Sequence, residues 1–154
     1  MSPDKQKNLI LNFPKLYRKF NPNDLSLMNS ALYVGDGWYD LLYRLSGSLE
    51  NTAESEDIDP HSESWPAAMQ VKSKFGSLKF YCRTGKKEEQ NFVVEQFGEV
   101  ISVRPLPSNA YMADLISIAE KDSKEICEEC GEAGYLRTVK LIKTLCDSCY
   151  KMKT

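Results

Sequence analysis

The sequence predicts an α+β fold: N-terminal helices packed on a small antiparallel sheet, with a stapled β-hairpin toward the C-terminal end. Three observations carry this. Apolar residues recur at helical spacing within 9–20, 38–49 and 111–119. The run MQVKSKFGSLKFYCRTG alternates strictly about a central Gly-Ser. Two C-x-x-C pairs, Cys127/Cys130 and Cys146/Cys149, bracket 15 residues that suit a hairpin. The expected division is an α+β core over 1–122, with an acidic loop at about 50–64, and a small C-terminal module over 123–154 packed on it.

The 154-residue length fits one domain with a small appended module. Hydrophobic residues at 42% and charged residues at 27% describe an ordinary soluble chain with enough apolar surface for a core. The formal net charge of −2 argues against a protein held to nucleic acid by bulk electrostatics. MSPDKQKNLILNF has too short an apolar run for a secretory signal, and no run approaches the roughly 18 residues of a membrane span. The expectation is a cytoplasmic protein without membrane contact, in a reducing compartment that favours cysteines as metal ligands over disulfides.

In chain order, Ser2 and Pro3 suit an N-cap and first helical position. Leu9, Ile10, Phe13, Leu16, Tyr17 and Phe20 then form a core stripe, which Pro14 divides into a helix and a following turn. Gly35 and Gly37 mark a turn, Asp36 suits the cap of the next helix, and Trp38, Leu41, Leu42, Leu45 and Leu49 share one face.

Residues 45–71 hold no Lys or Arg but six acids. ENTAESEDIDPHSES reads as a mobile loop, either solvating or an acidic patch for a basic partner, with Glu54, Glu56, Asp57, Asp59 and Glu63 as the contact residues. The sole histidine, His61, falls there with no nucleophile–base pairing legible from spacing. Trp65 and Pro66 are expected to close the loop by burying the indole.

A type II′ turn at Gly76-Ser77, pairing Phe75 with Leu78, would set Val71, Ser73, Phe75, Leu78, Phe80 and Cys82 on a core face. Lys72, Lys74, Lys79, Tyr81 and Arg83 would take the other face, where the cations could meet phosphate. Residues 92–97 fit helix or strand, and EVISVRP fits a strand. From a cap at Ser108 or Asn109, a helix buries Tyr111, Met112, Leu115, Ile116, Ile118 and Ala119, then delivers the chain to the first cysteine pair.

C-x2-C-x15-C-x2-C is a strong zinc signal. Cys127, Cys130, Cys146 and Cys149 would hold one structural Zn²⁺ per chain, stapling a hairpin of treble-clef or zinc-ribbon type. Four thiolates leave no open position for chemistry, so the expectation is that the chain is not an enzyme. Lys140, Lys143, Lys151 and Lys153 would soften the site's charge or form a basic patch.

GDGWYDLLYRL (35–45), VKSKFGSLKFY (71–81) and MADLISIAEKDSKEICEECGEAGYLR running to KTLCDSCY resemble a family of small zinc-binding hypothetical proteins of bacteria, phages and prophages. The shared blocks are G-D-G-W-x-D-L, K-F-G-x-L-R-F-Y, C-E-x-C-G-x-x-G and T-L-C-x-x-[HC]. The resemblance implies a zinc-holding tail, with Cys149 where relatives often carry His, and brings no settled activity. It also implies longer segments here at the acidic loop and at 85–108. The functional expectation is a protein-binding module, an inhibitor of the immunity or anti-defence kind that occludes a basic toxin or defence nuclease. The alternative is a regulatory nucleic-acid-binding zinc module using Lys72, Lys74, Lys79 and Arg83.

Overall fold

The computed structural model describes residues 1–25, 32–84, 91–96, 99–105, 109–138, 140 and 142–153. Among these residues four α-helices and six strands follow one another: α1 Pro3–Asn12, α2 Tyr39–Ser55, β1 Ala67–Lys74, β2 Ser77–Arg83, β3 Asn91–Gln96, β4 Glu99–Pro105, α3 Ala110–Asp122, β5 Tyr135–Arg137, β6 Lys143–Leu145 and α4 Asp147–Lys153. The architecture is α+β. Among the described residues the sheet content is three separate antiparallel pairs, β1–β2, β3–β4 and β5–β6, rather than one continuous sheet. The stretch that fitted helix or strand is strand β3. Ser108 and the β3–β4 connection lie outside the described residues.

Helix α1 stops at Asn12, ahead of Pro14, as the proline requires. The turns beyond it still bury Leu16, Tyr17 and Phe20. These join Trp38, Leu41, Leu42, Leu45 and Leu49 of the α2 region, Val71, Leu78 and Phe80 of the hairpin, and Met112, Ile116 and Ala119 of α3 in one hydrophobic core. Tyr17 Oη and Ser46 Oγ share a hydrogen bond of 2.8 Å inside it. Burial pushes the Tyr17 hydroxyl well above its ordinary range.

Two caps differ from expectation. Ser2 occupies the N-cap position without a side-chain bond. Asp36 does not cap its own helix: its Oδ1 accepts the Ser2 N–H at 2.7 Å, and its Oδ2 pairs with Lys5 at 3.7 Å. The carboxylate therefore pins the start of α1 to the Gly35–Trp38 turn. Asn109 does cap α3, accepting the Met112 N–H at 2.9 Å. Only part of the α3 stripe faces inward; Tyr111 and Ile118 are 60% and 56% exposed.

The hairpin register is two residues away from the sequence reading. Lys74 pairs with Ser77, Ser73 with Leu78 and Val71 with Phe80. The turn is thus Phe75-Gly76, with φ of 53° and 75°, the type I′ signature. A shift of two preserves the faces, so Val71, Leu78, Phe80 and Cys82 remain inside. Phe75 leaves the core face and is 68% exposed at the tip. Cys82 is a buried thiol pushed up to about 12 by burial, as a small hydrophobe would be.

Both hairpin edges are blunted. Tyr33 exchanges backbone hydrogen bonds with Val71 and Ser73 on the β1 side. On the β2 side, Ser123 Oγ accepts the Leu78 N–H at 2.8 Å and Glu120 Oε1 accepts the Phe80 N–H at 3.0 Å.

The acidic segment begins later than 50. Helix α2 runs to Ser55, burying Thr52 and Ala53, and Glu50 Oε1 accepts the Leu16 N–H at 3.0 Å. The helix then ends in a Schellman arrangement: Asp57 N–H reaches Glu54 O at 3.1 Å and Ile58 N–H reaches Ala53 O at 3.1 Å, with Asp57 at φ 55°. Trp65 closes the segment as a buried side chain, and Arg18 fastens it by donating to the Trp65 and Pro66 carbonyls at 2.8 and 2.9 Å.

Candidate metal centre

The four cysteines come from a turn and a helix start held face to face by a short hairpin. Ile126 bridges to Ala133, and Cys127 N–H donates to Glu132 O at 2.7 Å. Gly131 N–H returns to Cys127 O at 2.9 Å, at φ 85°, a conformation glycine adopts without strain. This tight knuckle aims Cys127 and Cys130 at one point. Strands β5 and β6 then lead to Cys146, and Cys149 lies one turn along, in α4. Cys149 N–H points at Cys146 Sγ, 3.4 Å away.

All four sulfurs lie within 4.8 Å of one another, and Cys130 Sγ is 3.7 Å from Cys146 Sγ. A tetrahedral Zn²⁺ with Zn–S bonds of about 2.3 Å sets its sulfurs about 3.8 Å apart, so the spacing fits a metal. A disulfide needs about 2.05 Å. The electrostatics agree. Burial raises the Cys127 thiol, but amides of Cys146, Cys130 and Glu129 outweigh it and leave it at about 7. Cys149 is pushed the other way, first by its bond to Cys146 and then by burial. Four sulfurs this close ionise together only around a cation.

The module is small. Leu145 packs with Cys127 and Cys149, and Cys146 and Tyr150 flank them. Arg137 ties the hairpin to α4: its Nε donates to Leu145 O at 3.1 Å, its Nη2 reaches Asp147 Oδ1 at 2.6 Å, and its guanidinium lies 4.6 Å from the Tyr150 ring centroid.

What holds this module to the core is the Gly-Asp-Gly-Trp turn. Gly37 N–H donates to Glu128 O at 2.8 Å, and the Trp38 indole N–H donates to Ile126 O at 2.9 Å. A Cβ on Gly35 would stand 2.1 Å from Glu128 O, and one on Gly37 would stand 2.1 Å from Cys127 O. The glycines are there because two backbones touch. A second contact joins the β1–β2 turn to the side of the β5–β6 hairpin: Thr144 Oγ1 donates to Gly76 O at 2.7 Å. Glu128, only 2% exposed, completes the junction by accepting from Ser73 Oγ at 3.1 Å, with Lys143 Nζ at 3.8 Å. Sequence reading missed this role for Gly35, Gly37, Glu128 and Arg137. Two glycines flanking one acid with no strand nearby were the available signal.

Of the other predicted residues, Glu54, Glu56, Asp57, Asp59 and Glu63 are all exposed. Glu56 receives the Asn109 side-chain amide, and Asp59 Oδ1 accepts the His61 N–H at 2.9 Å. Among the described residues none of the five is in an ion pair. Glu54, Asp57 and Asp59, with Glu50, wall a cleft of about 390 Å³ shared with Ile58, Trp65 and Lys15, whose Nζ lies 5.5 Å from the Trp65 ring centroid. The basic face is more engaged. Lys79 pairs with Glu120 at 3.5 Å, Lys72 lies 5.6 Å from the Tyr81 ring, and Arg83 is half-buried. Lys143 and Lys153 pair with Glu129 at 3.4 and 3.3 Å rather than facing the sulfurs as free charges. Among the described residues no helix is long and apolar enough to cross a membrane. No family model, curated protein or solved structure matches this chain.

Proposed function

We propose that this chain is a cytosolic structural-zinc protein acting as a protein-binding module, an inhibitor of the immunity or anti-defence kind from a phage, prophage or bacterial conflict system. The order knuckle, hairpin, helix, with one cysteine pair in the knuckle and the other at the helix start, supports a treble-clef site closed by Cys127, Cys130, Cys146 and Cys149. Zn²⁺ there would fold the tail and leave no position for substrate. The chain is therefore read as non-catalytic.

The observation that carries the binding reading is the acidic face. Glu54, Asp57 and Asp59, with Glu50, outnumber the single cation Lys15 around a cleft beside Trp65, and among the described residues no basic group is ion-paired with those three acids. Such a face fits lysine and arginine side chains of a basic partner, such as a toxin or defence nuclease. Nucleic acid is the second reading, favoured by Lys72 and Lys74 beside aromatic rings. It has less support, because Lys79 is held by Glu120.

The test is affinity capture from extract with the intact chain, comparing nuclease-treated and untreated samples, alongside the triple variant Glu54→Lys, Asp57→Lys, Asp59→Lys. A stoichiometric protein that survives nuclease and is lost with the variant supports the proposal. A bound fraction that disappears with nuclease, or no stoichiometric protein at all, overturns it.

A further inference from the structure

The acidic face leaves the far end of the molecule unexplained. There the β1–β2 turn places a phenylalanine, 68% exposed, at φ 53°. That first position of a type I′ turn favours Asn, Asp or Gly, and Gly76 alone supplies the flexibility the second position needs. Among the described residues the ring's cation partner is its own neighbour Lys74. An exposed aromatic held in a left-handed conformation is the kind of local inconsistency that marks contact with something outside the chain.

The ring is not isolated. A Cβ on Gly76 would stand 2.5 Å from Leu136 Cδ1, and Thr144 fixes the Gly76 carbonyl, so the two hairpins meet tip to side. Leu136, which is 54% exposed, pairs with Thr144 across its hairpin and so lies on the same face as that threonine. Two large apolar side chains, Phe75 and Leu136, one from each hairpin, thus flank the Gly76 junction. Lys74 Nζ lies 5.8 Å from the Phe75 ring centroid, and Lys72 follows on the same strand face. Among the described residues neither lysine is in an ion pair.

We propose that this edge, Phe75 and Leu136 rimmed by Lys72 and Lys74, is a second docking surface, for a partner segment that presents an apolar side chain between carboxylates. Charge decides the occupant. A second copy docked symmetrically would bring like-charged lysines together. Nucleic acid would find two cations on a chain of net charge −2 and release few counterions. An acidic, apolar-anchored peptide satisfies both the apolar pair and its rim. The surface goes beyond the acidic face in position as well as in chemistry. The acidic segment precedes the first residue of β1 and the tip follows its last, roughly 26 Å apart at about 3.3 Å per residue over the strand's eight residues.

The experiment is an amide NMR titration of the intact, zinc-loaded chain with a synthetic peptide carrying Phe-Leu between paired Asp and Glu residues. A control peptide has those acids replaced by Lys, and a third probe is a single-stranded oligothymidine. Expected are shifts confined to residues near the tip, weakened about tenfold in Phe75→Gly and Lys74→Glu, and unchanged in the Glu54→Lys, Asp57→Lys, Asp59→Lys variant. Phe75→Gly removes the ring while relieving the backbone, so its effect is not one of unfolding. Three results overturn the proposal: no acidic-peptide shift at millimolar concentration, equal shifts from the lysine peptide, or tip shifts with oligothymidine alone. Concentration-dependent dimerisation that quenches the same signals also overturns it. Loss of the acidic-face proposal would leave this test untouched.

Discussion

Replacing Gly37 with alanine should loosen the cysteine module from the core. The added Cβ would lie 2.1 Å from Cys127 O and 2.5 Å from Gly131 N, both backbone atoms. A relaxed carbon–oxygen contact is about 3.3 Å, so the knuckle must retreat by about 1.2 Å. That retreat takes the Gly37 N–H···O Glu128 bond from 2.8 Å to about 4 Å, beyond hydrogen-bond range, and pulls Ile126 O away from the Trp38 indole. Two donors left unpaired in or beside the core cost about 1–3 kcal/mol each, which sets the expected destabilisation at about 4 kcal/mol and the fall in Tm at about 10 °C. Urea unfolding followed by tryptophan fluorescence measures it directly, since Trp38 sits at the junction. The control is Gly47→Ala, where the new Cβ meets only Phe13 ring carbons at 3.8 and 3.9 Å inside α2. That variant should be stabilised by about 0.5–1 kcal/mol. A loss below about 1 kcal/mol for Gly37→Ala, or the same change in stability for both variants, would refute the backbone-contact reasoning.

Three further outcomes follow from the same contacts. Phe75→Gly should raise stability by about 1 kcal/mol, because a left-handed residue gives way to one that tolerates φ 53° while little buried area is lost; equilibrium unfolding reads the sign. Cys149→His should retain the metal and Cys149→Ala should lose it, checked by native mass spectrometry, since either imidazole or thiolate completes a tetrahedral site. The Ser2 N–H bond, with help from Lys5, holds the Asp36 carboxyl below its ordinary value near 3.8. Its contribution to stability is therefore present above that value and lost as pH falls through the folded-state value. The stability difference between wild type and Asp36→Asn should be constant near neutrality and shrink below about pH 4 in acid titration of the unfolding midpoint.

The sequence conveyed the helices and the cysteine cluster because both depend on short-range pattern. Leu41, Leu42, Leu45 and Leu49 reveal a face by spacing alone, and Cys127 to Cys149 reveal a ligand set by spacing alone. It conveyed the hairpin but not its register, because a two-residue slip leaves the inside and outside faces unchanged. The deciding contact, Thr144 on Gly76, lies 68 residues away. Gly35 and Gly37 looked like punctuation for the same reason: the backbone they touch is the knuckle at Cys127 and Glu128, remote in sequence. The acidic run read as a loop from 50 because its composition is polar. Thr52 and Ala53 are nonetheless buried on the continuing α2 stripe, and burial outweighs the modest helix preference of Asn51 and Thr52.

The most direct measurement is elemental analysis of the intact chain, purified under reducing conditions at neutral pH and dialysed against metal-free buffer. If the four sulfurs close a structural site, about one zinc accompanies each chain, and its removal by a strong chelator melts the module. Fewer than about 0.5 zinc per chain, with the fold intact, would mean that the cluster is held by packing alone and that the metal centre does not exist.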